Sequence, residues 1–186
     1  QDILIKWPNI TGKLEQLVLE GGTTDDDCDE IDLSGIEYNI GDLGCTALCH
    51  YLTTSSNNAD ADADAPIHNL CMLDLEANGL SWVGGSVLAK TLRRGGTGEQ
   101  LLHLNRGCNG IGVTGVVHIA DALRHVACPV LQSLDLHGNG IGDDGCVALG
   151  VALAAGALPQ LDLLDLSANR IEDRGCAALA ALFGVY

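Results

Sequence analysis

The chain of 186 residues has the length of one domain, and its 47% apolar content gives it a core to bury, which excludes a disordered tail. Only 3% of residues are aromatic, so the core is aliphatic, and 24 Gly against 4 Pro point to tight turns between short regular elements. Nine Lys+Arg against 25 Asp+Glu leave a net charge of −16, which argues against direct binding of nucleic acid and favours a protein partner with a basic surface.

Residues 1–27 are expected to form an amino-terminal strand or cap. Residues 14–19 have the alternation of a strand, but 14 residues from Leu17 to Ile31 are marginal for a crossover through a helix. The chain opens on Gln1, as a processed or excerpted part of a longer protein would. The run Asp25-Asp26-Asp27-Cys28-Asp29-Glu30 concentrates five acids in six residues, either as a solvated loop or as a second candidate binding surface.

From residue 28 to 186 the chain repeats itself. A degenerate copy runs from Cys28 through Ile31-Asp32-Leu33 to Ile40 and Gly44, with two extra residues before Ile40. A polar low-complexity segment at 53–65 reads as a mobile acidic surface loop. Residues 70–80 then give Leu-x-x-Leu-x-Leu-x-x-Asn-x-Leu, and 131–141 and 161–171 give the same pattern ending in Ile. Leu102-His103-Leu104 with Asn109-Gly110-Ile111 reads as a looser copy carrying the same two-residue expansion. On that alignment the strand leucines are 29 residues apart from Leu73 to Leu102, then 32 to Leu134 and 30 to Leu164. Each copy is followed by a glycine (Gly84, Gly115, Gly145 or Gly175) and an Ala/Leu/Val-rich helical stretch.

Leu-x-Leu turns its leucines to a core and its middle residue to solvent. One strand and one helix cannot bury their faces alone, but five stacked units make a parallel sheet backed by a helical layer. Small residues suit a thin core: Cys45, Cys146 and Cys176 directly follow the repeat glycine, and the eight cysteines read as reduced thiols. Asn78, Asn109, Asn139 and Asn169 recur where the chain leaves the strand, a ladder suited to satisfying turn backbone.

The sequence resembles the leucine-rich repeats, and among them the ribonuclease-inhibitor-like class, whose longer repeats pair a strand with a true helix. The resemblance covers residues 28–182 and implies a right-handed α/β solenoid, with the sheet on the concave side and the helices on the convex side. Members of that class include inhibitors, activators of a small GTPase, innate-immune sensors and subunits of large assemblies, nearly all acting by binding protein.

Other motifs reduce to the repeat. Residues 110–115 match G-x-G-x-x-G, but 140–145 match it too, so the glycines belong to the turn. Asp60, Asp62 and Asp64 open like a calcium loop, yet Ala65 and Cys71 stand where Gly and Glu are required. Cys45 and Cys49 share a helix face as half a metal site at most, and an open sheet is expected to lack the closed shell that favours a metal. No catalytic residue, cofactor or metal site is expected, and no apolar run is long enough for membrane insertion.

The informative surface is the row of outward strand residues. One column reads Asp32, Asp74, His103, Asp135 and Asp165, and the next reads Ser34, Glu76, Asn105, His137 and Ser167. Trp82 holds a turn position that Asp143 and Asp173 occupy in later repeats, a candidate contact residue. The expected function is a non-catalytic, intracellular, cytoplasmic interaction module or scaffold, within a larger assembly, binding a basic partner through the acidic sheet face. Two alternatives stay open: a regulator of a small GTPase or other enzyme, and a purely structural subunit.

Overall fold

The computed structural model describes residues 29–35, 39–56, 70–93, 98–125 and 128–182. The alternating leucines form five short strands, β1 (Asp29–Asp32), β2 (Leu70–Asp74), β3 (His103–Asn105), β4 (Ser133–Asp135) and β5 (Leu163–Asp165). Each is followed by a helix: α1 (Gly41–Ser56), α2 (Trp82–Thr91), α3 (Gly112–Arg124), α4 (Gly142–Ala154) and α5 (Asp173–Leu182). The strands lie in one sheet in chain order, every neighbouring pair parallel, and consecutive helices pack side by side behind it. Inward strand residues Ile31, Leu73, Leu104 and Leu134, with Leu33, Leu75 and Leu136 just past the strand ends, meet Leu48, Leu88, Ile119 and Leu149 from the helices in one aliphatic core.

The repeat glycine is required by close packing. A Cβ at Gly115 would stand 2.2 Å from Cγ2 of Ile111, and one at Gly145 would stand 2.5 Å from Cγ1 of Val116 on the preceding helix. Cys45 and Cys146, next to that glycine, are wholly buried, as expected. Cys176 is exposed, because among the described residues no further unit packs over α5. Among the described residues six cysteines are free thiols, but Cys71 is disulfide-bonded, which corrects the expectation that all eight are reduced.

The asparagine ladder runs through the interior. Asn109 accepts at Oδ1 from the backbone N–H of Asn78 (3.1 Å) and Leu80 (2.9 Å), and its Nδ2 donates to the Leu75 carbonyl at 2.9 Å. Asn78, Asn139 and Asn169 repeat the arrangement, each bridging to the carbonyl of the preceding unit. The glycines of the G-x-G-x-x-G matches spend their N–H groups the same way: Gly110 donates to Leu80 and Gly112 to Asn139, leaving no cradle for a phosphate there.

The register corrects the alignment of the third repeat. Leu104, not Leu102, pairs with Leu73 and Leu134, and Asn105 pairs with Asp74 and Asp135. The expansion after Leu104 therefore does not exist, and the Leu-x-Leu of this unit is completed by Arg106 in the slot that Leu75, Leu136 and Leu166 fill elsewhere. Arg106 is fully buried, its guanidinium nitrogens have no hydrogen-bond partner among the described residues, and burial pushes its pKa down against the pull of Cys45 and Cys49. A further correction falls at 53–56, where the expected loop is the last turn of α1. The strand reading of 14–19, the acids at 25–27 and the remainder of the 53–65 segment lie outside the described residues. No helix among the described residues is long and apolar enough to cross a membrane.

Candidate functional site on the outer sheet face

With the register set, the first outward column reads Asp32, Asp74, Asn105, Asp135 and Asp165. Asn105 thus takes the place expected for His103, and His103 moves to a parallel column with Met72, Ser133 and Leu163. Each column residue closes a local turn, in which one side-chain oxygen accepts the N–H two residues on, from Ser34, Glu76, Gly107, His137 and Ser167, at 2.8–2.9 Å. An Asp or Asn there ends the strand with a side-chain turn and still presents its outer edge to solvent.

Their surroundings differ. Burial pushes the Asp74 carboxyl up, reinforced by Asp32 and Glu76, against the N–H of Glu76 and the amide of Asn105. Asp165, on the last described strand, is held below its ordinary value by the backbone and side-chain hydrogen bonds from Ser167. No described Lys or Arg lies on any strand.

The second column, two residues along each strand, reads Ser34, Glu76, Gly107, His137 and Ser167. Gly107 leaves a notch in it, and the His137 ring lies over that glycine: a Cβ at Gly107 would stand 2.1 Å from Cε1 of His137. The ring is fixed by Nδ1, 2.8 Å from Oδ1 of Asp135. Its Nε2 lies 3.0 Å from Sγ of Cys108 and 3.8 Å from Oε1 of Glu76. The hydrogen bond to Asp135 raises the His137 pKa; partial burial opposes this, and the charges of Asp135, Glu76 and Asp165 add to the rise. Glu76 is steadied by Nδ2 of Asn105, which donates to its Oε2 at 3.1 Å and to Oδ2 of Asp74 at 2.9 Å.

The face therefore brings together Asp32, Asp74, Glu76, Asn105, Asp135, His137, Asp165 and Ser167, with His103 on the adjoining column. Trp82 stands apart as the first residue of α2, 52% exposed. The sequence reading missed Gly107 and Cys108. Counting back five residues from each ladder asparagine would have found them, because Leu73, Leu104, Leu134 and Leu164 each precede one by that interval.

A family model described as Leucine Rich repeat matches residues 127–150 and 161–180. No curated protein matches the chain. Leucine-rich repeats are typically non-catalytic modules for protein–protein interaction. Five parallel strands in one sheet, each followed by a helix, together with the matched repeats, make this chain an α/β leucine-rich-repeat solenoid.

Proposed function

We propose that this chain is a non-catalytic interaction module of the ribonuclease-inhibitor-like class, which binds the basic surface of a protein partner through the acidic outer face of its sheet. The observation that carries this is the register, which stacks Asp32, Asp74, Asp135 and Asp165 in one column, with Glu76 beside them and no Lys or Arg on a described strand. The class is supported by intervals of 31, 30 and 30 residues between paired strand leucines and by full helices of 10–16 residues. A rigid row of like charge steers an opposite surface into place and sets specificity, with anchors at its margin adding affinity.

The test keeps the turns and removes the charge. Asp32→Asn, Asp74→Asn and Asp165→Asn are combined in one variant, and Asp121→Asn, Asp144→Asn and Glu172→Gln in a second that removes equal charge from the helical side. Affinity capture from the native source with wild type identifies the partner. The partner's affinity for the sheet variant is then expected to fall by at least about tenfold, more steeply at low salt, while the helix variant binds like wild type. The opposite order of effects rejects the sheet face as the binding surface.

A further inference from the structure

Glu76, Cys108 and His137 come from three consecutive repeats and place one carboxylate oxygen, one thiol sulfur and one imidazole nitrogen within 4.8 Å of one another. Three features make this more than a chance approach. Asp135 holds Nδ1 of His137, and because an ionised carboxylate only accepts, that nitrogen carries the proton and the Nε2 lone pair of the neutral ring is turned to Cys108. Asn105 holds Oε2 of Glu76, leaving Oε1 on the His137 side. Gly107 supplies the space in which the ring lies. Gly35, Ala77, Gly138 and Ala168 occupy the Cys108 position in the other described repeats, so among them only this unit presents a ligand atom there.

We propose that Cys108, His137 and Glu76 form a zinc site on the outer face of the sheet, with Asp135 and Asn105 orienting its ligands. Sulfur, imidazole and carboxylate together suit a borderline cation such as Zn2+, and a carboxylate behind the ligating imidazole is the usual outer support of such sites. A tetrahedral ion with sulfur at about 2.3 Å and nitrogen at about 2.0 Å sets those two atoms about 3.5 Å apart. The observed separation is 3.0 Å, so the thiol must open by about 0.5 Å, which an exposed side chain can do. Three protein ligands leave the fourth position to water or to a donor from a partner.

The same atoms also resemble a nucleophile, base and orienter, but the surrounding backbone argues against acyl transfer. The N–H groups that would stabilise an oxyanion are spent: Gly107 donates to Asn105, Cys108 to the His137 carbonyl and Gly138 to the Ser167 carbonyl. The Glu76 carboxylate beside the thiol would further repel such an anion, whereas it is an asset to a cation.

The full chain, freed of metal and kept reduced at its thiols, is titrated with Zn2+ against a chromophoric chelator and separately with Co2+. The expected result is one equivalent bound, with a thiolate-to-cobalt charge-transfer band. Cys108→Ser, which is close to isosteric, should abolish the band and weaken zinc binding at least about 100-fold, and Asp135→Asn should weaken it about 10–100-fold. Gly107→Ala should displace the ring and weaken binding comparably, while Cys176→Ser, at the other exposed thiol, should change nothing. Retention of the band in Cys108→Ser, its loss in Cys176→Ser, or cobalt binding without a thiolate band overturns the proposal.

Discussion

Arg106 is a charge in a leucine position. Its neighbours in the column, Leu75, Leu136 and Leu166, show what the slot accommodates, and its guanidinium reaches no hydrogen-bond acceptor among the described residues. A buried ion without hydrogen-bonded partners costs several kcal/mol of desolvation, and apolar replacement of buried ionic groups is often neutral or stabilising. Arg106→Leu is therefore expected to raise the unfolding free energy by about 1–4 kcal/mol, read from urea denaturation with an unchanged slope. Loss of stability instead would mean that Cys45 and Cys49 compensate the cation. The same residue explains why the third repeat misleads the eye. With arginine in the second leucine slot, Leu102-His103-Leu104 imitates the strand motif two residues early, which shifts His103 into the acidic column and hides Gly107 and Cys108. The Asp residues were legible because Leu-Asp-Leu is intact in the neighbouring units. The thiol was not, because it sits after the strand in a turn position held by alanine or glycine elsewhere.

Helix starts show how one unit hands order to the next. The second residue of α1, Asp42, accepts at Oδ1 from the N–H of Ser81 (2.8 Å) and of Gly84 (2.9 Å), while Oδ2 accepts from Oγ of Ser81 at 2.5 Å. Asp143 does the same for α5, accepting from Glu172 at 2.8 Å and Gly175 at 3.0 Å. Trp82 and Val113 stand at the equivalent positions between them, and α3 and α4 accordingly begin without a side-chain cap. Burial alone would push the Asp42 carboxyl up, but the three hydrogen bonds outweigh it and hold the group below its ordinary value. A carboxyl depressed on folding adds stability that is present above its unfolded pKa and lost as pH falls through the folded one. Asp42→Ala should thus cost about 1–2 kcal/mol near neutrality, and the gap to wild type should close as denaturation is repeated below about pH 4. A gap independent of pH would assign the loss to packing. The equivalence of Trp82 with Asp143 and Asp173 was legible from the repeat, whereas the reach of each Asp into the next unit was not, since it depends on the side-by-side packing of helices. The extension of α1 to Ser56 escaped for a related reason: Thr and Ser are weak helix formers and read as loop until the packed turns before them carry the helix on.

At the scale of the whole molecule, stability is a chain of neighbour contacts, because each strand pairs only with those beside it and consecutive helices share the main helical contacts. Period and class of fold could be read from four leucine motifs for this reason, since a unit that cannot bury itself must stack. The same physics makes protection uneven. Leu134, Leu136 and Ile141 are buried to within 1% of their surface, but Leu164, Leu166 and Ile171, their counterparts in the last described unit, are only half-buried, and Leu163 is 53% exposed. A unit with a neighbour on one side has fewer contacts to lose on opening, so β5 and α5 should open locally while the central strands exchange only through wider unfolding. In hydrogen–deuterium exchange of the isolated chain, amides of β5 and α5 are expected to exchange at least about tenfold faster than those of β3 and β4. Leu136 is the informative probe: its N–H donates to the Asp165 carbonyl at 2.9 Å, so it should share the fast rate of β5 even though its side chain is wholly buried. Slow exchange throughout β5 and α5 would show that another surface covers that end of the sheet.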